Sequence, residues 1–394
     1  PTTFNNTANY TMVASLLLLA ALLESIRHRV ADWRYWSTGW AIAITVGLGL
    51  SLRDTPIGTI AIAFLALGLM AQIAGDIWML KRPNSWASWH GIPLVYAALG
   101  LFLGHYQFDL IPLETAFQAD SGLYTATAGL ISMGIGRRKR SLQVLSYVGL
   151  VAISVGAYEL LIYKLSQASG GHPGDGVTLL AALALSIALI ERGSRRWLIR
   201  YGRLSPKWLS WITHAHWALG SFWALCATLL GMSEPRGIAL WTGISLLLAT
   251  YALVAGNRRW TPQPFPLSHT AWTALGLLQA LLCITYTRFT WFPDRSGLFM
   301  WSGLLASMIG WGLYALPWTR WGWPARPGKQ LGLALPLLTL SITLEFINTQ
   351  SLLIVGAFYA WMAKQTGRIR LTYFSVLLFD WALLRYLDNR LGVI

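Results

Sequence analysis

The chain alternates long apolar runs with short polar turns, and the turns themselves alternate in charge. A helix needs about 20 mostly apolar residues to cross a bilayer. Candidate runs fall at 10–26, 37–52, 56–80, 91–113, 121–136, 142–166, 176–192, 208–232, 237–256, 269–290, 297–317, 330–346, 350–363 and 371–387. The pattern predicts an all-α, polytopic integral membrane protein with about 14 transmembrane helices. Several runs are short. Val177 to Ile190 spans roughly 21 Å as helix, so flanking polar residues or a thinned bilayer must complete the crossing. Around 330–363 a re-entrant or interfacial pair is the alternative, because Pro336 sits inside the first run and the second is short.

One set of turns reads RHRVADWR, KRP, RRKR, ERGSRRWLIRYGRLSPK, NRR, RWGWPARPGK and KQTGRIR, and it carries 23 of the 30 Lys and Arg residues. The other reads LRDTP, FDLIPLETAFQAD, GGHPGDG, SEPR, FPDR and EFINTQ, and holds Asp54, Asp109, Glu114, Asp120, Asp175, Glu234 and Asp294. Lys and Arg are enriched in loops that stay in the cytoplasm. The basic turns are therefore expected to be cytoplasmic, in a prokaryotic-type inner or plasma membrane or an internal membrane. Tryptophans including Trp33, Trp78, Trp89, Trp208, Trp260, Trp321 and Trp361 lie in or beside the same turns. Indole prefers the headgroup region, having one polar edge on an apolar ring. Beside arginine it suits membrane lipid with anionic headgroups.

The pattern is copied along the chain. His216 onward and Trp272 onward share Ala-Leu-Gly, a cysteine, an acidic-Pro-Arg turn, a Trp-[Ser/Thr]-Gly step and a basic residue followed by Trp. Self-similarity at fixed period marks a duplicated supersecondary unit, here a helix hairpin of roughly 45–60 residues. The chain is expected to form a single transmembrane domain over 1–394, with tandem hairpins at about 37–82, 90–140, 142–196, 208–260, 269–321 and 330–364. Helices 10–26 and 371–387 are left unpaired, each resembling half a hairpin, which predicts a longer hairpin array. The copies share one orientation, unlike the inverted repeats of many secondary transporters. Trp241-Thr242-Gly243 and Trp301-Ser302-Gly303 open second arms. Small residues there let helix backbones approach; a groove for a flat ligand beside the indole is the functional alternative.

Composition agrees with lipid as the main solvent: 55% hydrophobic and 11% charged residues, with a mean hydropathy of +0.51. A soluble domain carries about a quarter charged residues. The net charge of +15 would attract polyanions. Its bases sit in short loops between apolar runs, so it is read as a topology signal and no nucleic-acid partner is expected. Cys226 and Cys283 lie in apolar runs and are read as packing residues.

Ionisable groups inside a bilayer are costly and functional by default. The candidate intramembrane polar sites are Asp76, Glu159, Glu345 and Asp380, the last with Arg385 five residues on. A buried Asp380–Arg385 pair would pack against another helix. His90, His214, His216 and His269 open helices at the basic side and are candidate interfacial ligands. A helix histidine beside Trp and Gly can ligate a flat macrocycle, but no residue requires a cofactor, and interfacial polarity is the ordinary reading. His214 and His216 stand about 200° apart on a helix, so they cannot share one metal. No nucleophile elbow, His-Glu-x-x-His, P-loop or dinucleotide motif occurs, so no catalytic or metal-binding residue is assigned. The expected function is a non-enzymatic membrane scaffold or accessory subunit binding lipid and other membrane proteins. The alternative is a multi-pass transporter or lipid-handling protein for a small or amphipathic substrate.

Overall fold

A computed structural model describes residues 2–27, 32–53, 55–81, 87–106, 119–168, 170–232, 235–261, 266–291, 301–343 and 348–391. Among the described residues the fold is all-α, with no strand. The helices are α1 (Thr2–Arg27), α2 (Asp32–Ser51), α3 (Ile57–Lys81), α4 (Ser88–His105), α5 (Ser121–Gly136), α6 (Gln143–Ser166), α7 (Pro173–Gly193) and α8 (Arg195–Tyr201). They continue as α9 (Pro206–Leu230), α10 (Pro235–Gly256), α11 (His269–Trp291), α12 (Ser302–Ala315), α13 (Ala325–Ile342), α14 (Thr349–Thr366) and α15 (Ile369–Leu391). Every apolar run read from the sequence carries a helix. The short α8, inside the longest basic turn, was not anticipated. Pro336 does not interrupt α13.

Five of these helices are long and apolar enough to cross a membrane, rather than about 14: Ile57–Met79, Arg140–Ser166, Pro173–Gly193, Pro235–Gly256 and His269–Trp291. Others fall short for visible reasons. α5 has 16 residues and α12 has 14, about 24 and 21 Å of helix. α1 begins in the polar stretch TTFNNTANYT.

The chain divides into two compact units, one of Pro1–Gly171 with Leu179–Gly220 and one of His172–Thr178 with Ser221–Ile394. In the first, Ala61, Leu65, Ala97, Tyr124, Ile131 and Ile135 form a buried core between α3, α4 and α5. In the second, Leu340, Leu352, Val355, Tyr359, Met362 and Leu378 do so between α13, α14 and α15.

The tightest helix pairs flank the basic turns: α1 with α2, α3 with α4, α5 with α6, α10 with α11, α12 with α13, and α14 with α15. The copied unit in the letters is bounded by those turns instead. Small residues make the approaches close. Gly122 and Gly156 face each other's carbonyls across α5 and α6, as do Gly129 and Gly149 seven residues along; a methyl on Gly122 or Gly149 would overlap the opposite carbonyl. Gly310 of α12 and Gly332 of α13 repeat the arrangement, each Cβ position 2.5 Å from the other's carbonyl oxygen. The two Trp-x-Gly copies diverge. Gly303 packs on Ser351, whereas Gly243 faces open space. Trp241 is fully buried, its indole N–H donating to the Ala224 carbonyl at 2.8 Å, while Trp301 is half exposed.

Candidate functional site

Three polar clusters lie within the first unit. At the basic end, α3, α4 and α5 meet on Arg138, whose side chain is 3% exposed. Its Nε donates to Asp76 Oδ1 at 2.8 Å and its Nη2 to the Gln72 carbonyl at 2.6 Å. Its Nη1 donates to the Trp89 carbonyl at 2.5 Å and lies 3.4 Å from His90 Nδ1. Arg137 reaches the other Asp76 oxygen at 2.6 Å. Room for the guanidinium comes from Gly75, where a Cβ would sit 2.8 Å from Arg138 Nη2. His90 precedes the 91–113 apolar run. Burial first, then the Arg138 cation, holds its imidazole down at about 4, so it is neutral near pH 7 and can accept from Arg138. Nearby, Asp32 accepts from the Ser88 amide at 3.0 Å and from the Ser88 hydroxyl. Every acceptor here satisfies a donor, which makes the cluster a structural lock on three helix ends.

At the other end of α5, Thr125 Oγ1 donates to Glu159 Oε2 at 2.6 Å, and His105 Nε2 stands 3.7 Å from Glu159 Oε1. His105 Nδ1 is 2.9 Å from the Leu101 carbonyl. Thr125 and Arg137 are twelve residues apart on one helix, about 18 Å, so Asp76 and Glu159 do not share a site. Lys164, five residues after Glu159, is exposed and lies over the Tyr163 ring instead.

In the third cluster the sequence singled out His216 but not its partner Glu191. Glu191, at the head of the motif ERGSRRW, is only 3% exposed. His216 Nδ1 approaches its Oε2 at 3.4 Å and the Ile212 carbonyl at 3.0 Å. Neither Glu191 oxygen accepts a hydrogen bond among the described residues. The Tyr158 hydroxyl, within reach of the Glu191 charge, is also buried without one. α7 runs on past Glu191 to Gly193, and the short α8 follows. There Leu198 packs with Leu150, Leu204 and Leu209.

The remaining candidates stay apart. Asp380, in the second unit, is exposed, and Arg385 is half-buried; neither makes a hydrogen bond or ion pair described here. Glu345 lies outside the described residues. His269 Nε2 is 2.8 Å from the Thr261 carbonyl, and His214 is half-buried. Cys283 is buried and Cys226 half-buried, both free thiols. Among the described residues no three His, Cys, Asp or Glu side chains gather as metal ligands.

Three open grooves are lined mainly by apolar residues. One runs between α3 and α5 with Asp120 at its edge. A shallow one lies between Trp36 and Tyr96. The third, of about 430 Å³, lies between α12 and α14 and is flanked by Trp311 and Trp361. Compared with protein-family models, curated proteins and solved structures, the chain matches none.

Proposed function

We propose that the chain is a polytopic membrane protein built from copied helix hairpins, about 14 helices crossing the bilayer with the basic turns on the cytoplasmic side. Its role is that of a non-enzymatic scaffold or accessory subunit, binding lipid and neighbouring membrane proteins. Exposed apolar side chains support a lipid setting. Leu16, Leu19 and Leu23 on α1, Phe222 and Leu229 on α9, and Leu377 and Leu383 on α15 are all more than half exposed. On α1 the three leucines, spaced three and four residues apart, share one helix face, and a contiguous apolar face is uncommon on soluble monomers. Hydrogen bonds between basic turns support a common side within each unit. Arg203 Nη1 donates to the Arg138 carbonyl at 3.2 Å, and Arg259 Nη2 donates to the Arg320 carbonyl at 2.6 Å.

The observation that favours a scaffold over a transporter is the dispersal of the polar groups. Asp76 is locked to two arginines, Glu159 sits about 18 Å along α5 from that lock, and Asp380 is on a surface. A substrate pathway would gather such groups round one cavity. A second reading, a transporter or lipid-handling protein, rests on the buried Glu191–His216 pair alone. Reporter tags after Arg140 and in the acidic turn before Pro235 should face opposite compartments; the same compartment would end the threading. Purification in mild detergent should recover a membrane-protein partner. Substrate flux by the isolated chain in liposomes, lost in Glu191→Gln, would replace the scaffold reading with the second.

A further inference from the structure

The groove between α12 and α14 is lined by Ser307, Met308, Trp311, Gly312, Phe358 and Trp361. The two indoles stand 6.1 Å apart and tilted by 43°. Both remain partly exposed, at 49% and 43%. A Cβ placed on Gly312 would meet nothing within 4 Å, so the space beside it is open. The size is in the range of small-molecule sites, roughly 300–1,000 Å³.

The charge around the mouth selects among apolar occupants. Trp311 and Trp361 lie within about two turns of the ends of their helices, at the side of the basic turns. Lys364 follows Trp361 by three residues, on the same helix face. Lys329 places its ammonium 5.1 Å over the ring of Tyr314, itself three residues past Trp311. Arg320 and Arg368 lie in the adjoining connectors and Arg326 and Arg370 in the first turns of α13 and α15, and no Asp or Glu occurs in 301–343 or 348–379. An open apolar groove faced by a contacting indole pair under a purely cationic rim complements one chemistry: an acyl chain bearing an anionic headgroup.

We propose that this groove is a specific anionic-phospholipid site. One acyl chain lies along the open face of the Trp311–Trp361 indole pair beside Gly312, and the phosphate meets Lys329 and Lys364. The assignment rests on the membrane reading above and deepens it, turning general attraction of the basic face into one site. An apolar helix of a partner protein is the competing occupant, and the rim argues against it because it leaves the lysines without a counter-charge.

The test uses the full chain in detergent and native mass spectrometry, with an anionic and a zwitterionic phospholipid of identical acyl chains. The wild type should hold one tightest lipid per chain with about a ten- to thirtyfold anionic preference, the contribution of two lysines at an anionic surface. K329Q/K364Q should bring that preference close to unity. G312L, whose Cβ meets nothing within 4 Å and whose side chain would occupy the groove, should lose the tightly held lipid while elution and helicity stay unchanged. Equal binding of the two lipids by wild type, or an unaltered anionic preference in folded G312L, overturns the site. So does a G312L variant that loses a copurifying protein and keeps the lipid. Either negative result with the chain still in the membrane fraction leaves the membrane reading standing; a chain soluble without detergent removes that reading itself.

Discussion

Asp76 and Glu191 are both acids within polar clusters, yet their neighbours give them opposite roles. Asp76 is the counter-ion of Arg138, a guanidinium almost wholly out of solvent. Asp76→Asn removes the counter-charge but leaves an oxygen to accept from Arg138, which also keeps the Gln72 and Trp89 carbonyls, and should destabilise the protein by about 1–3 kcal/mol. Thermal unfolding in detergent measures it. Glu191 accepts no hydrogen bond from a described residue, though His216 stands 3.4 Å away; Glu191→Gln trades that pairing against relief of a buried carboxylate and should cost less than Asp76→Asn by the same measurement. His90 adds a pH signature. Its folded imidazole titrates at about 4, against 6.5 for the ordinary value. The unfolded chain therefore takes up this proton first as pH falls. This one group costs stability progressively as pH falls from 6.5 to about 4, fully below that, and not at all above 6.5. An imidazole resonance titrating near 6.5 would contradict the Arg138 contact. The sequence singled out Asp76 and His90 but not Arg138, which it counted among topology signals. Nothing in RRKR says that its second arginine turns inward; Gly75, the Asp76 carboxylate and the two carbonyls of Gln72 and Trp89 decide that.

The helices were readable because an apolar run of helical length has few alternatives in a chain this poor in charge. Their pairing was not. Each helix has two antiparallel neighbours in sequence, and periodicity alone cannot say which turn closes a tight pair. Glycine placement decides it, through backbone contact between α5 and α6 at Gly122–Gly156 and Gly129–Gly149. Gly149→Leu should overpack that seam and cost about 1–3 kcal/mol or more. Gly243→Ala, at a glycine with nothing within 4 Å, should be neutral or stabilise by up to about 1 kcal/mol through helix propensity. Parallel unfolding curves for the two variants separate packing from propensity; equal shifts would mean the α5–α6 seam is loose. The Trp-x-Gly copies carry the same lesson. Letters that repeat need not occupy repeated environments, since Trp241 is buried and Trp301 is not.

For the chain as a whole, the large exposed leucines and phenylalanines make one outcome decisive. Alkaline or high-salt washing should leave the protein in the membrane pellet, and only detergent should release it. Release by alkaline washing alone would point to surface attachment by the five most apolar helices at most. Hydropathy, charge alternation and repeated motifs determined that the chain is helical and where its helices and turns fall, because those properties are local and additive along a sequence. The tertiary structure alone decided which of the candidate groups meet: Glu159 with Thr125 and His105, Glu191 with His216, and Trp311 with Trp361. Such meetings depend on which glycine admits a neighbouring backbone and how far each helix runs before the chain turns, and neither is written in any single stretch of residues.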